Sequence, residues 1–221
     1  SDRGGSRRFV ALRDPDASID ASALATQLRN PDAGFRFAFK YVDGMTVSST
    51  DQRFAGNLLL VTLAGRWCPH SHDEAVMLVQ FDRQYRSRGL EIVSLMFEQH
   101  AEFERAVAAV RRFRAAQGIA YPTLVAGVAD KAQASAALPQ LDAVVAYPTA
   151  IFIDRTGRVR KIHTGFAGPA TGVQHDLLLA ELTAMIEALL AEDAAATPDA
   201  AAAVPVSSPE SEPPAADAVS P

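Results

Sequence analysis

The one cysteine of this chain, Cys68, stands in the run Trp67-Cys68-Pro69-His70-Ser71, directly after the apolar stretch from Asn57 to Ala64. A thiol between a buried strand and the first turn of a helix faces unpaired backbone N–H groups and the positive end of the helix dipole. Both favour thiolate over thiol, and the thiolate is the nucleophile of disulfide exchange. His70, if protonated and turned toward the sulfur, adds to that bias. Glu74 follows Ser71 by three residues and so shares its helix face one turn on. It suits a proton acceptor for an incoming thiol, or equally a first-turn carboxylate stabilised by the dipole. The competing assignment is a buried, inert cysteine, since free Cys is among the most buried residue types. With a single cysteine, no disulfide within the chain is possible.

The elements that must hold these residues are visible in the hydrophobic pattern. Phe37–Tyr41 and Met45–Ser48 flank Asp43-Gly44, a hairpin signal. Leu58–Ala64 is a continuous apolar run, as in a strand covered on both faces. A helix is predicted from about Ser71 to Arg88, with Ala75, Leu78, Phe81 or Val79, and Tyr85 in one stripe and Gly89 as its cap. Glu91–Phe97 reads as the next buried strand and 101–117 as a helix stopping at Gly118. Ala150–Asp154 and Arg158–His163 read as a hairpin around Thr156-Gly157, and Asp176–Ala191 as a final helix. The order is hairpin, strand, helix, strand, helix, hairpin, helix. It implies an α/β fold with a central mixed β-sheet flanked by helices on both faces.

Composition divides the chain into three regions. Residues 1–34 are a polar N-terminal extension with a short helix expected around Ala21 to Leu28, residues 35–192 form the folded domain, and residues 193–221 are an Ala/Pro/Ser-rich tail read as disordered. Hydrophobic residues are 48% of the 221 and charged residues 21%, which suits a globular domain with a real core. A net charge of −5 gives no reason to expect nucleic acid as a partner. No apolar stretch is long enough for a membrane span. No signal peptide is visible behind Ser1, and the absent initiator Met leaves room for a leader or anchor upstream.

Trp67-Cys68-Pro69 after a strand, followed much later by Tyr147-Pro148-Thr149 at the start of a hairpin, resembles the thioredoxin superfamily. Gly56-Asn57-Leu58, the Asp43-Gly44 hairpin and Arg88-Gly89-Leu90-Glu91-Ile92-Val93 narrow the resemblance to the TlpA-like and ResA-like redoxin proteins of bacterial envelopes. It covers roughly residues 35–190. It implies a thioredoxin-like fold, thiol–disulfide oxidoreductase activity with Cys68 as nucleophile, and a location in the periplasm or cell envelope. It also implies a cis proline at Pro148 beside Cys68, a substrate groove shaped by Trp67, Pro69, Tyr147, Pro148 and Thr149, and a thiol-tuning role for Glu74. The partners would be disulfide- or thiol-bearing proteins, or glutathione, and no cofactor is called for.

Two positions depart from the pattern. Where thioredoxins bury an aspartate in the preceding strand this chain has Thr62, so that proton relay is expected to be absent. Where the second cysteine belongs it has Ser71, whose hydroxyl can hydrogen-bond to the Cys68 thiolate but cannot resolve a mixed disulfide. Resolution by an outside thiol, a serine introduced to trap substrates, or a drift toward a noncatalytic binding module all fit. A one-cysteine peroxidase is disfavoured, because the P-x-x-x-T-x-x-C pattern fails at Gly65, three before Cys68, where the Thr belongs. A copper or zinc site from Cys68, His70, His72 and His100 or His163 lacks a second cysteine or an acidic ligand beside it, and no metal is expected. The loop from Gly165 to Gly172 is read as a rim of the substrate groove or a plain connection, and Arg105, Arg111, Arg112 and Arg114 as a solvated helix face.

Overall fold

The computed structural model describes residues 24–192, so the tail read as disordered lies outside the described residues. The strands are β1 (Ala38–Tyr41), β2 (Thr46–Ser48), β3 (Leu58–Ala64), β4 (Leu90–Glu98), β5 (Thr123–Val128), β6 (Thr149–Ile153) and β7 (Val159–Thr164). The helices are α1 (Pro69–Tyr85), α2 (Phe103–Gln117), α3 (Lys131–Ala137) and α4 (Val173–Ala191). The strands form one sheet in the order β2-β1-β5-β4-β3-β6-β7. β3, β4 and β5 run parallel, while β1 pairs antiparallel with β5 and β6 antiparallel with β3.

Every residue of β3 is buried, which is why its sequence shows no polar alternation. Leu58, Leu60 and Leu63 are wholly inaccessible, and each such side chain contributes about 1.5–3 kcal/mol relative to exposure. α1 buries Ala75, Leu78, Phe81 and Tyr85, the stripe expected from the sequence, and ends in a 3-10 turn closed by Gly89 at φ 95°. α1, α2 and α4 cover one face of the sheet, with Leu78, Val110 and Ile186 in a cluster with Leu60, Ile92 and Phe152. The other face packs Phe35, Phe54, Ala134, Leu141 and Tyr147 against Val61, Leu63 and Leu95, and Cys68 belongs to this second cluster.

Two elements were missed in the sequence. β5 is a run of apolar residues directly after Pro122, and it lies between β4 and β1, so the hairpin joins the sheet through it. α3 is short and starts at Asp130, whose carboxylate accepts from the Gln133 N–H at 2.8 Å. The helix expected around Ala21 to Leu28 is corrected within the described residues: Leu28 forms a β-bridge with Leu141. The competing force is tertiary, because the backbone there is engaged by the domain. Thr26 N–H donates to Thr164 Oγ1 at 2.9 Å, and the Arg29 guanidinium to Leu141 O at 2.8 Å. Residues 24–34 thus lie against the domain rather than apart from it.

Candidate active site

Cys68 is the N-cap residue of α1, with extended backbone angles of φ −92° and ψ 116°, and Pro69 occupies the first turn. Proline fits there because its missing N–H would be unpaired anyway. The Cys68 N–H closes a turn onto Gly65 O at 3.0 Å. The thiol is buried, with only 6% of the residue exposed, and its Sγ donates to Tyr147 O at 3.4 Å. The Tyr147–Pro148 peptide bond is cis. A loop 79 residues away in sequence therefore meets the sulfur.

The aromatic rings order this loop. Trp67 and Tyr147 meet edge-on at 5.5 Å, Tyr147 packs on Phe97 at 5.7 Å, and the Trp67 indole N–H donates to Phe97 O at 2.8 Å. Gly65 makes room for the indole: a Cβ there would lie 2.4 Å from Trp67 Nε1 and 2.8 Å from Phe97 O. Pro69 is exposed beside the thiol. Thr149 is wholly inaccessible and its hydroxyl donates to Ala146 O at 2.8 Å, so it shapes the Tyr147 loop from within. The loop from Gly165 to Gly172 borders the same region, since Gly165 N–H donates to Pro148 O at 2.8 Å and Gly168 lies against the Asp73 carboxylate.

Ser71 is 1% exposed, and its hydroxyl accepts from the Gly65 N–H at 3.4 Å. The thiol's partner is thus the Tyr147 carbonyl and not the serine hydroxyl that sequence reasoning offered. His70 is exposed and makes no hydrogen bond among the described residues. His72, in contrast, is held by the Arg66 carbonyl and by Gln117. Among the described residues no group of three or more His, Cys, Asp or Glu side chains is arranged to hold a metal ion.

Glu74 lies in the core, 2% exposed, where Thr62 Oγ1 donates to its Oε2 at 2.6 Å. Burial pushes its carboxyl up to about 8, with the Thr62 hydrogen bond acting in the opposite direction. Thr62 is paired with Ser94 across β3 and β4, so the two hydroxyl side chains share the face that α1 covers. The Tyr121 phenol is held above its ordinary value, first by burial and then by the charge of Glu74. The strand position carries Thr62 and no acidic group, and the buried carboxyl beside it comes from the helix: the strand supplies the hydroxyl and α1 the carboxyl. The pairing was hidden in the sequence because it depends on which face of β3 meets which turn of α1.

A thiol at the start of the helix that follows a central strand, with a cis-proline loop against the sulfur and a mixed sheet between helix layers, defines the thioredoxin-like class. The chain belongs to the Redoxin family, whose profile matches residues 29–176. Among solved structures it is similar to a thiol:disulfide interchange protein of the thioredoxin family from Chlorobium tepidum TLS, with a TM-score of 0.55 and 22% identity over 73% of this chain and 97% of that one. A hypothetical protein from Sinorhizobium meliloti 1021 gives a TM-score of 0.56 and 22% identity, covering 75% of this chain and 87% of that one. A putative DsbE from Chlorobium tepidum gives 0.51 and 21%, covering 71% and 99%. A comparison with curated proteins gives no match.

Proposed function

We propose that this protein is a thiol–disulfide oxidoreductase that works through Cys68 alone. The observation that carries the reading is the placement of the only thiol at the N-cap of α1, with Sγ against the carbonyl that precedes the cis proline. The Cys68 thiolate attacks one sulfur of a partner disulfide. A bond forms between Cys68 Sγ and that sulfur, the partner's S–S bond breaks, and the second sulfur leaves as a thiolate that takes up a proton. Ser71 cannot repeat the attack from within, so a second thiol, from glutathione or a partner protein, attacks the mixed disulfide and returns Cys68 to its reduced form. Glu74 serves as a buried proton store for this cycle, since a carboxyl near 8 exchanges protons around neutral pH. Trp67, Pro69, Tyr147 and Pro148 form the walls against which the partner segment lies, with Thr149 bracing the loop and exposed His70 at the rim.

The domain is assigned to residues 35–192, and the place of work to the periplasm or cell envelope, where disulfide-bearing partners persist. Among the described residues no helix is long and apolar enough to cross a membrane. A second reading, a noncatalytic binding module, draws on the low exposure of Cys68. One experiment separates them. Reduced protein incubated with oxidised glutathione or an aromatic disulfide should form a one-to-one adduct at Cys68, visible by intact mass and reversed by added thiol. Folded protein that stays unmodified while Cys68 alkylates only after denaturation would leave the binding module as the answer.

A further inference from the structure

The turn that carries Cys68 is pinned at both of its central residues. Cys68 N–H donates to Gly65 O, which leaves Arg66 and Trp67 at the corners. Trp67 is fixed by its indole bond to Phe97 O at 2.8 Å. The Arg66 peptide is held on both sides: its N–H donates to Glu98 Oε1 at 2.8 Å, and its carbonyl lies 2.7 Å from His72 Nε2. A carbonyl oxygen can only accept, so Nε2 carries the proton. His72 Nδ1 is then the acceptor for the Gln117 side-chain amide at 3.0 Å, and the ring stands edge-on to Phe113 at 4.9 Å. Gln117 and Phe113 both belong to α2.

We infer that His72 is a positioning residue for Cys68: a neutral imidazole, protonated at Nε2, that ties the Arg66 carbonyl to α2 and so fixes the turn from which the thiol acts. This rests on the reading of Cys68 as the reacting group. His72 has both ring nitrogens committed, which separates it from His70, the exposed neighbour two positions earlier that makes no such bonds. Its ring is wedged between the Arg66 carbonyl of the turn and two side chains of α2, Gln117 and Phe113, and those contacts define one orientation. Displacing the turn by a fraction of the Cys68–Tyr147 contact distance would lower the rate, because a misplacement of about 1 Å can cost roughly a hundredfold.

The test compares His72→Phe with His72→Gln. Phenylalanine keeps the ring against Phe113 and removes both hydrogen bonds; glutamine restores an N–H at the position of Nε2. The readout is the second-order rate of Cys68 with an aromatic disulfide, taken at a temperature where each variant's circular dichroism shows it fully folded. The expected result is a loss of about tenfold in H72F, the equivalent of one hydrogen bond, with H72Q returning to within about threefold of the parent. Two long-range ¹H–¹⁵N measurements on the unsubstituted protein in alkaline buffer, one of each ring nitrogen, should report the Nε2–H tautomer. H72F reacting as fast as the parent would overturn the inference. So would equal slowing of both variants, or a proton found on Nδ1. The tautomer measurement stands even where H72F does not fold. Should the unsubstituted protein fail to exchange at all, the proposed activity falls, whereas a normal parent with an indifferent H72F removes only the role of His72.

Discussion

Glu74→Gln isolates the one carboxyl whose titration the core most strongly controls. Burial raises its folded-state value from 4.5 to about 8. A raised carboxyl means that the folded protein holds its proton where the unfolded chain has released it. The folded state is therefore favoured at low pH, and the advantage is lost as pH rises from 4.5, the unfolded value, through about 8. One unit corresponds to 1.36 kcal/mol, so the span of roughly 3.5 units makes the full effect about 5 kcal/mol, of which about 3 kcal/mol has gone by pH 7. Glutamine keeps the shape and the acceptor for Thr62 Oγ1 without the titration. Urea midpoints of the parent and E74Q, measured at intervals from pH 4.5 to 9, give the difference directly, since other groups titrate alike in both. The parent should lose several kcal/mol relative to E74Q across that window and level off above pH 8. A difference that stays flat, or that grows below pH 4.5, would refute the assignment of a protonated, desolvated Glu74.

Gly65→Ala should cost about 2–4 kcal/mol, because its Cβ would overlap the Trp67 indole and the Phe97 carbonyl; loss of the indole bond would show as a shift in Trp67 fluorescence together with a lower urea midpoint. Ser71→Cys places a second thiol at the buried position three residues beyond Cys68, and the mixed disulfide formed with glutathione should then disappear about tenfold or more faster without added thiol, as read by intact mass against time. Thr62→Val removes the hydrogen bond that Thr62 Oγ1 donates to Glu74, so the upper end of the pH window of stability loss should move upward, and an unmoved upper end would argue against the Thr62–Glu74 contact.

Much of the fold was legible in the chain. The Leu58–Ala64 run, the α1 stripe and the Asp43-Gly44 turn each carry a local signal: burial on both faces leaves a continuous apolar run, burial on one helix face leaves a stripe, and a tight turn selects its own residue types. β5 left a weaker one. Its run after Pro122 is short, and only its partners, β4 on one side and β1 on the other, make it a central strand. The helix expected around Ala21 to Leu28 does not extend to Leu28 for the opposite reason, since a backbone pairing with Leu141 overrode local preference there.

The site divides in the same way. The sequence by itself determined the chemistry available: one thiol, at the start of a helix, with no second cysteine to release it. It also supplied the residue types Glu74, His70, His72 and Pro148 near that helix or its partner loop. Only the tertiary structure decided what those groups do. The thiol points at the Tyr147 carbonyl, Thr62 grips Glu74, and His72 spans from Arg66 to Gln117, 45 residues away. Such contacts join residues distant in the chain, and their partners follow from strand register and helix packing, which no local pattern of residues encodes.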